Sequence, residues 1–352
     1  TQSGVGPALL AFLLVVVIGS LALFAWRSQL LSSAPRLDSL ASREGVFLFN
    51  NLILTVFALA VLLGTLYPIF LEAFGGDRVS VGTPYFNRVT IPVALLLLLG
   101  MGVGPVTPYR YARADVVWRR VVAPITVSLV AGAIAILVGV ESVPVVFVVV
   151  AGAFVVASAI HEFLRQAGRI EGSRRSAAVR VLRRDPGYWG GQLSHIGVAV
   201  LAVGIAASSG LAARDQISIA AGDSMQVAAY CLTYEGPTTR LETNRRVDGA
   251  LLTLRDESCS DEIASMEPVF NQYARPPAVA TPAVHVGFVE DVFVALAAVP
   301  GDEAVLDVYV FPLMWMVWLG GLVAVGGGLW AVLAGKAERS TPVVRRKERQ
   351  NA

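Results

Sequence analysis

Seven stretches of this chain are each long and apolar enough to cross a lipid bilayer, and nothing else in the sequence restricts the fold as much. They lie near 7–26, 46–71, 89–108, 121–140, 143–163, 191–210 and 311–334. At about 1.5 Å of rise per residue, roughly 20 residues cover the hydrocarbon layer. Backbone groups in that layer have no water to bond, so all seven runs are predicted to be helices. Composition agrees: 55% of residues are hydrophobic, 15% are charged and the mean hydropathy is +0.65. A water-soluble domain does not look like this. The chain starts at Thr1, a few residues before the first run, with no basic leader or cleavage site. That start reads as the cut end of a longer polypeptide.

Charge placement orients the helices. The segments 27–45, 107–120, 164–190 and 335–352 carry three, four, seven and six basic residues, whereas 72–88 and 141–142 carry two and none. The positive-inside rule then puts Thr1 outside and Ala352 in the cytoplasm, as seven crossings require. The organisation expected is a helical region over 1–210 with six spans, an outer domain over 211–310, a last span over 311–335 and a basic cytoplasmic tail over 336–352.

The stretch 211–310 is a different polymer, with fifteen acidic and six basic residues. Alternating segments at 216–220, 225–234, 250–255, 291–297 and 305–310 read as strands between Gly, Pro and Asp turns, which predicts a small sandwich or barrel. Both cysteines, Cys231 and Cys259, fall here. In an oxidising compartment a disulfide is allowed, and two buried thiols are equally compatible with the spacing.

Polar residues inside the spans are few enough to weigh singly. In LSHIGVAVLAVGIAASSG (193–210), His195 is the one ionisable group, about a turn inside the cytoplasmic edge. A neutral imidazole there can ligate haem iron or bond a neighbouring helix. Asn50 and Asn51 lie at a similar depth in the second span, where one could orient the other ring nitrogen of His195, or both could simply join helices. The small residues of GMGVGPV (100–106) favour close helix approach over room for a flat ligand. His161, beside Glu162 and Arg165, reads as an interfacial residue, and His285 as structural on a strand. RRSAAVRVLRR (174–184) has Ala177, Ala178, Val181 and Leu182 on one face with arginines around them. That pattern suits a short helix on anionic lipid and needs no nucleic acid. Phosphate-binding glycine loops, nucleophile elbows, zinc-binding histidine pairs and CxxC are all missing.

Several words in order carry a family resemblance: SREGVFLFNNLIL (42–54), LLGTLYPIFLEAF (62–74), VSVGTPYFNRV (79–89), LLLLLGMGVGPV (95–106), GYWGGQLSHIGVAVLAVGIAASSG (187–210), VEDVFVAL (289–296) and VYVFPLMWMVWLGGLVAVGG (308–327). Together they resemble the C-terminal half of CcmF, the membrane haem lyase subunit that attaches haem to bacterial c-type cytochromes. The resemblance implies a bacterial inner-membrane protein. It implies that His195 is an axial ligand of a b-type haem. It also implies that Gly82, Pro84, Tyr85, Phe86 and Asn87 form an outer loop packed beneath a haem-presenting surface. The implied partners are the N-terminal half of the same protein or a split subunit, apocytochrome c with its CxxCH cysteines, a periplasmic haem chaperone, a thiol-reducing maturation subunit, quinol and membrane lipid. The family's tryptophan-rich haem-presenting motif and its other histidines are absent from these 352 residues, so the resemblance implies a C-terminal portion that does not attach haem alone. A rival reading is a permease or exporter subunit with an outer ligand-binding β-domain. The lack of internal repeats and of midplane carboxylates counts against it. A cofactor-free scaffold is a third.

Overall fold

The computed structural model describes residues 6–31, 43–74, 79–107, 114–171, 173–273 and 278–340. The basic tail beyond residue 340 and the first five residues lie outside that set. Among the described residues there are eight α-helices: α1 (Gly6–Arg27), α2 (Arg43–Ala73), α3 (Thr83–Val103), α4 (Ala114–Leu137), α5 (Val143–Ala167), α6 (Arg174–Arg184), α7 (Pro186–Gly210) and α8 (Met314–Ser340). All but α6 are long and apolar enough to cross a bilayer, matching the seven predicted runs. Pro68, Pro92 and Pro124 lie inside α2, α3 and α4. Membrane helices tolerate such interruptions because neighbouring groups satisfy the freed carbonyls.

The chain forms two compact units, Thr1–Leu129 with Ala153–Ala178 and Val130–Gly152 with Val179–Ala352. In the first, α2 and α3 form an antiparallel hairpin. Its interior is built on Val106, Val121 and Phe154, with Val103, Val117 and Ile125 packed around them. A Cβ at Gly102 would enter the ring of Phe154, so the small residues of GMGVGPV serve close packing. Arg120 Nη1 donates to Val106 O at 3.1 Å, tying the end of α3 to α4. Glu162 is only 3% exposed, and it accepts from Arg165 at 2.6 and 2.8 Å and from Gln166 at 2.8 Å. A charge that deep is tolerated only when paired in this way.

The second unit joins α7 and α8 to the β-domain. Strands β1 (Ala213–Ala220), β10 (Glu303–Pro312), β9 (Glu290–Leu296) and β8 (Ala283–His285) make a four-stranded antiparallel sheet in that order. The other sheet runs β2 (Ser224–Val227), β3 (Tyr230–Leu241), β4 (Arg245–Arg255), β6 (Val269–Tyr273) and β7 (Val279–Thr281), and β5 (Glu262–Met266) also pairs with β4. Inward side chains of both sheets share one core. Ile217, Ile219, Leu232, Tyr234, Leu252, Leu254, Val292, Val294, Leu306 and Val308 are all buried in it. Period-two alternation across two facing sheets is sandwich geometry. Tyr234 is fully buried and donates its hydroxyl to Gly301 O at 2.8 Å, which removes the cost of burying it. Arg240 bonds both oxygens of Glu267 and holds that carboxyl below the usual carboxylate range.

One predicted strand is corrected. Segment 225–234 is a hairpin, β2 and β3, reversing at Ala228, whose φ is +52°. Two alanines carry no turn signal, so the reversal follows from pairing within the sheet. Cys231 and Cys259 are bonded to each other, 28 residues apart, which resolves the two alternatives left by the spacing. By loop entropy the bridge contributes about 3–4 kcal/mol. Replacing both cysteines by alanine is expected to lower the thermal midpoint of the β-domain. An unchanged melting curve would show that the bridge does nothing for stability.

Helix α6 is present where the sequence places it. Its apolar side is not free for lipid, however. Ala177 and Val181 are 4% and 2% exposed, covered by protein, and the arginines of α6 remain exposed.

Candidate functional site

Helix α7 begins with a strong local signal. Asp185 is its N-cap, accepting from Tyr188 N at 3.0 Å, and Pro186 fills the first helical position, where no backbone N–H is needed. Beyond that start, α7 has two faces with opposite properties.

One face is glycine. Gly190, Gly197 and Gly204 recur every seven residues and meet Gly320, Ala324, Gly327 and Ala331 on α8. A Cβ added at Gly190 would stand 2.6 Å from Ala331 N, and one at Gly204 would stand 2.8 Å from Val317 N. The helices therefore touch backbone to backbone, as small residues allow in membranes. Ser194 Oγ donates to Ala324 O across the same seam.

The other face carries the chemistry. At 100° per residue, Gln192, His195 and Ala199 point away from α8. Gly152 of α5 approaches this face higher up, where its Cβ position lies 3.4 Å from Ala199 O. His195 is half-buried. Its Nδ1 is fully buried, and neither ring nitrogen has a hydrogen-bond partner among the described residues. An orphaned buried nitrogen costs about 1–3 kcal/mol and calls for an explanation. Four residues apart, His195 and Gly191 lie one turn apart on the same face of α7. Nothing lies within 4 Å of a Cβ built on Gly191. An unpartnered imidazole beside open space at a glycine is compatible with a planar metal complex bound through the ring. The arrangement supplies one ligand. Among the described residues no cluster of three His, Cys, Asp or Glu could hold a bare metal ion.

The other predicted residues are scattered. Asn50 is half-buried and Asn51 exposed on α2, in the first unit, and Asn51 borders an open groove of about 530 Å³ with Leu54, Thr55, Ala58, Leu59 and Leu62. Gly82, Pro84, Tyr85, Phe86 and Asn87 form no loop: Gly82 is the N-cap of α3, and the rest are its first turns. Pro84 near a helix start favours that outcome. Tyr85 donates to Ala60 O at 3.0 Å, and Tyr85 and Phe86 stand edge to face over Gly64. Together they clamp α3 onto α2. His161 is half-buried on α5 and His285 half-buried on β8. Sequence reading overlooked Gln192 and Gly191, although their spacing of three and four before His195 was visible. It also passed over the seven-residue glycine repeat.

Fold and site thus define a multi-pass helical membrane protein that carries a β-sandwich between its last two membrane-length helices and an unpartnered imidazole on the first of that pair. No family model matches the chain. It is 36% identical over 338 residues to the cytochrome c-type biogenesis protein CcmF of Pseudomonas fluorescens, covering 93% of this chain and 49% of the relative. Against the Pseudomonas aeruginosa protein of the same name, identity is 34% over 339 residues, with 93% and 49% covered. For that of Escherichia coli it is 29% over 329 residues, with 92% and 48% covered. A solved structure of the cytochrome c haem lyase CcmF superposes with a TM-score of 0.73 at 25% identity, covering 94% of this chain and 51% of that one. The chain belongs to the CcmF family, and it spans about half the length of the curated relatives it matches.

Proposed function

We propose that this chain is the C-terminal portion of a cytochrome c haem lyase of the bacterial inner membrane, and that His195 ligates a b-type haem within it. The observation that carries the reading is the half-buried imidazole of His195, whose Nδ1 is buried and unbonded, on the same face of α7 as the open space at Gly191. When bound, the haem would supply one-electron chemistry. His195 would hold the iron from one side and help to set its potential. Any further protein ligand to the iron, and the surface that presents substrate haem, would come from the N-terminal half of the protein or a split subunit. Apocytochrome c, a haem chaperone, a thiol-reducing subunit and quinol are the partners this reading requires. The β-sandwich would lie outside the cytoplasm, where its disulfide can persist, with the C-terminal end inside.

The test is spectroscopic. The chain, purified in detergent together with its N-terminal complement, is expected to show the reduced-minus-oxidised bands of a six-coordinate b haem. A preparation that is folded, complete and colourless would defeat the proposal and favour a cofactor-free scaffold.

A further inference from the structure

Gln192 stands one helical turn before His195 on the same face of α7, and it is 6% exposed. Its Oε1 is buried without a hydrogen-bond partner among the described residues, as is His195 Nδ1. An acceptor and a potential donor thus sit on adjacent turns, both stripped of water and both unpaired. Residues three apart on a helix have Cβ atoms about 5–6 Å apart, and the lean of helical side chains brings the imidazole back over the turn that holds Gln192. Two such orphans at unrelated places would each need a separate explanation. As neighbours they share one.

We propose that Gln192 is a positioning residue for His195: its amide oxygen accepts Nδ1–H and leaves the lone pair on Nε2 facing the space beside Gly191. This rests on the reading of His195 as a haem ligand. The bond is not made in this structure, and the soft terminal torsion of the glutamine is what closes it when Nε2 is occupied. A ligating histidine ordinarily donates its other N–H to an oxygen, which fixes the tautomer and raises the basicity of the ring. Greater basicity favours ferric over ferrous iron and lowers the potential. Gln192 therefore tunes the haem without touching it. Asparagine or serine at this position would extend less far toward the next turn, which gives the longer amide side chain a reason to be here.

The experiment uses the intact protein with its complement and compares Gln192→Met, Gln192→Glu and His195→Ala. Gln192→Met keeps the shape but offers only a weak acceptor. It is expected to bind haem more weakly, and in the protein that keeps its haem the ferric-to-ferrous ratio at fixed ambient potential falls about tenfold, an upward midpoint shift of ~59 mV for one electron. Gln192→Glu, a stronger acceptor, is expected to move the midpoint the other way. A wild-type midpoint in either variant overturns the inference, and if Gln192→Met fails to accumulate, Gln192→Glu decides alone. His195→Ala separates the two proposals. If that variant keeps its haem, the ligand reading itself fails. If it loses haem while the Gln192 variants titrate like the wild type, only the positioning role fails.

Discussion

His195→Ala is expected to strip the intact protein of most of its b-type absorbance, with haem content falling at least about tenfold. The magnitude follows from metal sites generally: groups that merely orient a ligating histidine are worth about 10–100-fold in affinity, so losing the ligand costs no less. The fold should survive. The ring is only half-buried, it makes no hydrogen bond among the described residues, and it lies on the face of α7 turned from α8. Alanine also favours helix. Imidazole added to the medium should restore part of the haem, because the vacated volume adjoins the open space at Gly191. An absorbance unchanged by the substitution would place the haem elsewhere and return His195 to a packing role.

Gly197→Leu is expected to have the largest effect on assembly. A Cβ at this position would clash with the backbone of Ala324, 2.7 Å from its Cα, where no side-chain rearrangement can relieve it. The helices must separate, and the contacts of the whole seam from Gly190 to Gly204 are lost with it. Overpacking in a core ordinarily costs about 1–3 kcal/mol, and a clash with backbone lies at or beyond the top of that range. Protein accumulating in the membrane, and its unfolding midpoint in mixed micelles, should both drop sharply. Gly321 and Gly326 on α8 are the controls, since nothing lies within 4 Å of a Cβ at either. Alanine there should be neutral or improve helicity by up to about 1 kcal/mol. Equal loss in the controls would mean that the seam is not what joins the two helices.

The helical architecture was legible in the sequence because the bilayer imposes a length and a polarity on every span. The seven runs differ from the seven helices mainly at their ends, where α3 starts at Thr83 rather than near residue 89. The apolar core there stops short of the helix, and the Gly82–Pro84 start signal was read as a loop. The β-domain was half legible. Strands buried on one face, such as β9 and β10, alternate cleanly, whereas β5 to β8 are three to five residues long and bury only Met266 and Asn271 between them, too few core positions to show a period. His195 stood out because any imidazole does in such a stretch. Gln192 did not, because a glutamine near the end of a span looks like a boundary residue. Only its 6% exposure and unpaired oxygen distinguish it.

The junctions between helices and strands have a mechanical consequence. Only Leu211 and Ala212 separate α7 from β1, and only Leu313, at φ +55°, separates β10 from α8. Strand β1 pairs along its whole length with residues 303–310 of β10, and these strands follow and precede a helix pair in close glycine contact. Neither junction is long enough to act as a flexible coupling. The sandwich and the α7–α8 pair that carries His195 are therefore joined by two short links and one paired ribbon, not by a loose tether.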